Sequence, residues 1–548
     1  FLDELGVLLS PTSLSLTHSY PHSWRSKKPV LFRATDQWFL SIDHEDLRGR
    51  ALKAIDETEW VPKWGRNRIF GMIENRPDWV LSRQRLWGVP IPAFYCEGCG
   101  QVQADADVME HVASLFEEHG ADYWFTHDEG DLVPSGSKCS SCGGDSFKKE
   151  NAIVDVWFES GMSWMAVCRD NPKLGDVNLY LEGSDQHRGW FHSSLLVGMG
   201  VADKAPYKTV LTHGFVLDGK TGTPFSKSEI RKAQAEGKKV KYVAPDEIIK
   251  KNGAELFRLW TASTEFRNDI PYSEEQLKVL ADWYRKFRNT SRFLLGNLSD
   301  FDPSAHSEDS VELSDLDRYA LGRLRDVEAK VRAAYDAFEF HTAYKVMVDY
   351  IATDLSAVYL DVIKDCLYSD GKDTPSRRAA QYVVYEAARS LALMTAPILA
   401  FTAEDIWQAL PKRPGDPEFV HLALMPEGQA MAEDSELAVR WEVFVRYRDL
   451  AKKELEAFRA QKHRSEDAQV DLVASADDRE VLAGRESELA TFFIVSKVTV
   501  AADSGEPSAS VTQAPGDKCE RCWRFYEEMS QDDPAICKRC ADAVAAAS

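Results

Sequence analysis

The chain has 548 residues, of which 44% are hydrophobic and 28% charged, and its formal net charge is −22. At about 150 residues per domain this length predicts roughly three to four domains, and the composition excludes general disorder. No apolar run approaches the ~20 residues that span a bilayer, and Phe1-Leu2-Asp3-Glu4-Leu5 lacks the basic start of a signal peptide, so a membrane partner is not expected.

The absence of an initiator Met leads us to expect that the chain begins inside a longer protein. A large chain without a signal peptide is expected in the cytoplasm, where thiols stay reduced. Its acidity keeps it soluble but does not exclude a polyanionic partner, which binds local basic patches. One candidate patch is Arg446, Arg448, Lys452, Lys453, Arg459, Lys462, His463 and Arg464. A solvated helix face balanced by Asp449, Glu454 and Glu456 fits those residues equally well.

In chain order, residues 1–40 show no sustained period. Residues 41–93 are mixed, with tryptophans at 60, 64, 79 and 87. Residues 94–150 read as an insertion bracketed by cysteine pairs, with a helix over 104–118. Ile153–Phe158, Leu179–Leu181 and Thr209–Leu217 read as buried strands, and Phe191–Val201 reads as a helix. Strand, helix and strand in this order predict a parallel α/β sheet.

From residue 274 onward, apolar residues recur every three or four positions over 274–298, 316–338, 341–368, 377–395 and 403–410, which predicts a helical bundle. A long charged helix is expected over 436–463. A small unit with strands at Val470–Val473 and Phe492–Val495 follows. Residues 501–516 read as a flexible linker.

Eight of the ten cysteines form four C-x-x-C pairs. Cys519/Cys522 and Cys537/Cys540 stand fourteen residues apart and fit a four-thiolate zinc site. A redox dithiol is the alternative. So small a segment would draw its folding energy from the metal. Trp523, Arg521, Arg524, Lys538 and Arg539 decorate it, and suit either RNA stacking or a charged surface. Cys96/Cys99 and Cys139/Cys142 repeat the pattern around a 39-residue insert, giving a second, closed and therefore structural zinc site.

Glu182 to Phe191 runs from a strand through a polar turn into a helix. Glu182, Asp185, Gln186, His187 and Arg188 gather there, where open parallel sheets bind ligands. The Gly/Ser/Lys loop Asp218–Ser228 follows another strand and could bring an ammonium to phosphate oxygens. By itself that signal is weak, and a solvated lysine loop is its default reading.

The segments EGSDQHRGWF (182–191), THGFVLDG (212–219), FSKS (225–228), HSYPHSWR (18–25), FRATDQWF (32–39), NRPDWVLSRQRLWGVPIP (75–92), DVWFESG (155–161) and GAELFRLWTAS (253–263) closely resemble the isoleucyl-tRNA synthetases of bacterial type. These are class I aminoacyl-tRNA synthetases, and the resemblance covers nearly the whole chain. DVWFESG and the terminal four-cysteine module favour the isoleucine family over its valyl and leucyl relatives.

The resemblance implies a multidomain α/β-plus-α fold. Residues 1–40 would be the exit of an editing domain, and 41–220 the second half of a Rossmann catalytic domain with the insertion at 94–150. Residues 221–284 would hold a KMSKS-like loop and a stem-contact region, and 285–465 a helical anticodon-binding domain. A small α/β unit at 466–510 and the zinc module at 511–548 would close the chain.

By the same resemblance Glu182 binds isoleucyl-adenylate, with Asp185 and Gln186 in the same turn. Trp157 and Trp190 shape the isoleucine pocket, and Lys227 is the catalytic lysine that supports ATP's phosphates. The implied substrates are L-isoleucine, ATP with Mg, and tRNA(Ile). Two zinc ions and a monomer are expected.

The family's HIGH motif has no counterpart here, so an incomplete ATP site is expected, and because the family's editing core would lie upstream, no proofreading is expected. Pro224-Phe225 replaces the Lys-Met of KMSKS, and a basic extension (229–241) follows, so Lys220 or a lysine of that extension would have to compensate. The rival reading is a non-catalytic tRNA-binding zinc protein of the same family.

Overall fold

In the computed structural model, residues 3–7, 10–15, 17–23, 26–169, 171–219, 222, 244–432 and 435–547 are described. The chain divides by its contacts at His213/Gly214.

In the first unit, Thr209–His213 lies at the centre of a three-stranded parallel sheet between Glu59–Val61 and Leu179–Gly183. The helices Leu47–Glu57, Trp64–Glu74 and Trp190–Ala202 pack with it around Ile55, Ile69, Ile73, Leu195 and Val210. Phe191 to Met199 are all buried, so this helix is enclosed on every side, its polar residues His192, Ser193 and Ser194 included. Each fully buried aliphatic side chain here contributes roughly 2 kcal/mol.

The insertion is a separate antiparallel sheet, with Phe94–Cys96 between Val102–Gln103 and Phe147–Lys149. Its helix, Ala106–His119, is N-capped by Asp105 and covers a core of Phe94, Val112, Trp124 and Leu132. Before residue 39 the described backbone carries only an isolated bridge between His22 and Pro29.

Two expected strands of this region differ from the sequence reading. Only Ile153–Val154 is extended, paired antiparallel with Ser82–Arg83. Asp155 then accepts a hydrogen bond from the Trp157 N–H and starts the helix Val156–Gly161. The apolar run therefore turns at its one capping residue. The run Thr209–Leu217 is also split. Gly214 passes so close to Asn268 that a Cβ would stand 2.2 Å from that carbonyl oxygen. The chain leaves the sheet there, and Val216–Asp218 pairs with Ile270–Tyr272.

The second unit is mainly helical. Glu274–Gly296, Asp315–Asp336, Phe340–Asp349, Leu360–Ser369, Pro375–Thr395 and Ala400–Ala409 form the bundle. Between Asp349 and Leu360 the helix continues in wider turns. Pro375–Thr395 is its centre, and the small side chains Ala379, Ala380, Ala387 and Ala388 are wholly buried. Thus the bundle and the long helix, Glu436–Ala460, follow the sequence periodicity.

Downstream, Ala468–Val473 pairs with Lys497–Val500 and Ser508–Gln513. The expected strand at Phe492–Val495 is instead the end of the helix Glu486–Phe493, stopped by Ile494 at φ +60°. The expected linker contributes a six-residue edge strand, Ser508–Gln513. No helix among the described residues is long and apolar enough to cross a membrane.

Candidate active site

Parallel strands bring their carboxyl ends to one edge of a sheet, and here that edge carries Glu182 and His213 on neighbouring strands. The Glu182 carboxylate is half exposed, accepts from the Gly183 N–H at 3.1 Å, and lies 4.0 Å from Nε2 of His213. Asp185 is exposed and accepts from the Gln186 amide at 3.0 Å. The Gln186 oxygen accepts from the Trp190 N–H at 3.0 Å and so caps the buried helix.

Trp190 is fixed on three sides. Its ring stacks on Tyr180 at 3.9 Å, and its Nε1–H donates to the Ser160 carbonyl at 3.0 Å and the Ser163 hydroxyl at 3.3 Å. Trp157 comes to the same place from the short helix, and a Cβ on Gly189 would stand 2.9 Å from its Cη2 atom. A Cβ on Gly161 would meet the Ser193 carbonyl at 2.9 Å, so glycine there lets the two helices touch. Two tryptophans, one locked and one 41% exposed, thus flank the Glu182 turn.

Asp155 sets the position of Trp157. Besides its cap, its carboxylate accepts from Trp79 Nε1 at 3.0 Å and from the Arg83 guanidinium at 2.6 Å. The sequence reading did not single out Asp155, Gly189 or His213. An aspartate immediately before a short apolar stretch is a helix-start signal that could have found the first.

The imidazole of His187 does not join the cluster. It is fully buried against Trp60, Trp64 and Phe191, and burial lowers its pKa. Lys227, Lys220, Pro224-Phe225 and the basic extension lie outside the described residues, as do Trp24 and Arg25.

Both cysteine sets converge, with the ligand atoms of each within 4.8 Å of one another. Sulfurs bound to a tetrahedral zinc at ~2.3 Å stand about 3.8 Å apart. Cys96 and Cys142 are separated by 3.5 Å, Cys99 and Cys139 by 3.5 Å, and Cys522 and Cys537 by 3.9 Å. These separations fit a shared ion and are too long for disulfides.

N–H groups of Cys142 and Ser141 hold the Cys139 thiol down to about 6. Against the penalty of burial, those of Cys522, Cys537 and Arg521 do the same for Cys519, also to about 6. The residue after three of the four knuckles is left-handed: Gly100, Gly143 and, unusually, Trp523 at φ +65°.

The basic residues of the terminal module mostly face inward. Arg539 forks onto Asp365 at 2.8 and 2.9 Å, Arg524 donates to the Val495 carbonyl, and Arg521 to that of Ser369. The helix patch is also partly engaged. Arg446 pairs with Asp478, Arg448 lies over Phe492, and Arg464 lies over Trp523 at 4.4 Å. Lys452 and Lys453 remain exposed.

Comparison with known proteins matches residues 18–273 to the tRNA synthetases class I (I, L, M and V), 317–474 to the anticodon-binding domain of tRNA ligase, and 516–543 to the zinc finger found in FPG and IleRS. The fold is similar to that of Mycobacterium tuberculosis methionyl-tRNA synthetase in complex with methionyl-adenylate. That match has a TM-score of 0.50 at 16% identity and covers 77% of this chain and 72% of that one. The chain belongs to the class I tRNA synthetases.

Isoleucine–tRNA ligase of Geobacter sulfurreducens is 48% identical over 99% of this chain, and that of Syntrophotalea carbinolica is 46% identical over 98%. Within the class, the chain is a member of the isoleucine–tRNA ligase family. It spans 59% and 58% of the length of those two relatives.

Proposed function

We propose that this chain carries the adenylate-binding and isoleucine-selecting face of an enzyme that joins L-isoleucine to tRNA(Ile) using ATP. The observation that supports this most is Trp157 lying on Gly189 beside the locked Trp190, at the strand end that bears Glu182. Two indole walls suit a branched aliphatic side chain, which has no polar group to recognise.

In this reading Glu182 accepts hydrogen bonds from isoleucyl-adenylate, and Asp185 and Gln186 hold the turn that presents it. Lys227, outside the described residues, supplies a cation to the phosphate side, where charge develops as pyrophosphate leaves. Mg accompanies ATP as substrate. Each four-cysteine set would hold one zinc with no open position, a structural role. Residues 41–220 would serve activation, and 285–465 the anticodon. The protein would act as a monomer in the cytoplasm.

The test is isoleucine-dependent ATP–pyrophosphate exchange, with this chain alone and after supplying the rest of the relatives' length. Exchange is expected only in the completed enzyme. Valine-dependent exchange without isoleucine-dependent exchange would overturn the substrate assignment. Exchange by the isolated chain would overturn the assignment of only one face of the site to it.

A further inference from the structure

The two four-cysteine sets differ in how well their sulfurs are covered. In the terminal module Cys519, Cys522, Cys537 and Cys540 are all buried, and Tyr526, Met529 and Ile536 pack around them. The Tyr526 hydroxyl lies 3.7 Å from the Cys522 sulfur, and the Cys537 N–H donates to the Cys519 sulfur at 3.3 Å. In the insertion Cys96 and Cys139 are buried, but Cys99 and Cys142 are exposed.

Two glycines account for part of that exposure. A Cβ on Gly144 would stand 3.4 Å from Cys142 Sγ and 3.5 Å from Cys96 Sγ. A Cβ on Gly98 would stand 3.6 and 3.7 Å from the same two atoms. Glycine at both positions leaves this side of the sulfurs without a covering side chain. Each exposed cysteine also has a buried one across from it on the other knuckle: Cys142 faces Cys96, and Cys99 faces Cys139, both at 3.5 Å. An accessible thiolate with a second sulfur beside it is the arrangement that oxidation to a disulfide requires.

The surroundings select the oxidant. Residues 94–150 carry 12 acidic and 3 basic side chains. That charge repels anionic reagents such as glutathione disulfide and favours a small neutral one, a hydroperoxide.

We propose that the insertion's thiol set is a modification site for hydroperoxides, which join its two knuckles by a disulfide and expel its zinc, while the terminal set is spared. The exposed thiolate attacks the outer peroxide oxygen. The O–O bond breaks, the alkoxide takes a proton from water and leaves as the alcohol (water, for hydrogen peroxide), and a sulfenic acid remains. The facing thiolate attacks that sulfur, forms the S–S bond and releases hydroxide, which takes a second proton. The two sulfurs lose two electrons in all and the peroxide gains them. Disulfide sulfur carries no charge and is a poor ligand, so the ion leaves. Its departure rests on the zinc assignment proposed above; the thiol chemistry does not.

The test treats the full 548-residue chain, purified with its zinc, with hydrogen peroxide. Released zinc is followed with a colorimetric chelator, and disulfides are mapped by mass spectrometry. The insertion should react about tenfold faster than the terminal module and yield Cys96–Cys142 or Cys99–Cys139. Gly144→Ala places a methyl group in ordinary contact with both sulfurs. It should keep the starting zinc content and slow the reaction severalfold. Dithiothreitol with added zinc should restore the original content.

Equal rates in the two modules, or faster oxidation of the terminal one, would overturn the proposal. So would a Gly144→Ala chain that reacts at the wild-type rate, or a disulfide formed within one knuckle. If the insertion purifies without zinc, the zinc assignment fails. The disulfide map then decides the thiol proposal alone: a fast link between the knuckles upholds it, and its absence overturns it.

Discussion

Trp157 rests directly on the backbone of Gly189, where a Cβ would stand 2.9 Å from Cη2 of the indole and 2.5 Å from the Gln186 amide oxygen. One missing methyl therefore serves two contacts, the seat of Trp157 and the cap that Gln186 places on the Trp190–Ala202 helix. Gly189→Ala should move both. We expect a loss of about 1–2 kcal/mol in urea unfolding and a shift in tryptophan emission. In the completed enzyme KM for isoleucine should rise about tenfold, consistent with a displaced apolar wall. An unchanged KM would remove Trp157 from the pocket.

His192 gives the first unit a pH dependence. Its ring is buried and neither nitrogen has a partner. Burial, with smaller contributions from Arg76 and Arg188, depresses its pKa to about 3. The unfolded value is near 6.5, so the unfolded chain takes up the proton first as pH falls. The associated stability is complete above pH 6.5 and is lost progressively toward pH 3, up to about 4–5 kcal/mol. His192→Leu, of similar volume and with no nitrogen to protonate, should flatten unfolding free energy between pH 6.5 and 4.5 relative to wild type. Parallel pH profiles would contradict this.

The features legible in the sequence are those whose signal is local and periodic. Leu277, Leu280, Phe287 and Leu294 repeat at helical spacing and are all buried on one helix face. The four C-x-x-C pairs announce two converging thiol sets. What escaped reading depended on single residues or distant partners. Asp155 turned an apolar run into a helix start, and Ile494, left-handed, ended a helix where β-branched and aromatic residues suggested a strand. Ser508–Gln513 is an edge strand that turns only Ala509 and Val511 toward the core, an alternation too short and too weakly apolar to stand out in a polar stretch. Nor does composition reveal that Arg539 and Arg524 meet Asp365, more than 150 residues earlier.

Asp365 receives two guanidiniums, Arg539 through a fork and Arg524 at 3.4 Å. Those cations hold its carboxyl below the usual range despite burial, joining the zinc module to the bundle. Asp365→Ala should leave the poorly exposed Arg524 without its carboxylate, at a cost of about 2–3 kcal/mol. Protease cleavage between 501 and 516 should quicken. Unaltered cleavage would show that the metal site alone holds the module.

Zinc stoichiometry tests the two thiol sets separately. We expect two zinc ions per purified chain by elemental analysis. Cys537→Ser and Cys139→Ser should each reduce this to one, and the double variant to none. Cys537→Ser should also lower helicity, because the helix Lys538–Ala547 starts at that knuckle. Retention of two zinc ions in either single variant would refute a four-thiolate site there.

The Glu255 carboxylate caps a helix 145 residues away in the chain: it accepts from the Phe401 N–H at 2.7 Å and the Thr402 N–H at 3.1 Å. The Tyr284 hydroxyl donates to it at 3.0 Å, and the Thr402 hydroxyl also bonds to it. Nearby, Arg258 donates to the Ile398 and Pro397 carbonyls just before that helix. The helix Ala254–Ser263 is thereby tied to the bundle by an anion at one helix N-terminus and a cation on the preceding loop. Glu255→Gln keeps one acceptor but loses the charge, and should cost about 1 kcal/mol; Glu255→Ala orphans several donors and should cost about 2–3 kcal/mol. Chemical denaturation of the two variants checks the order. If both lose the same amount, volume and not the charged cap holds the helices together.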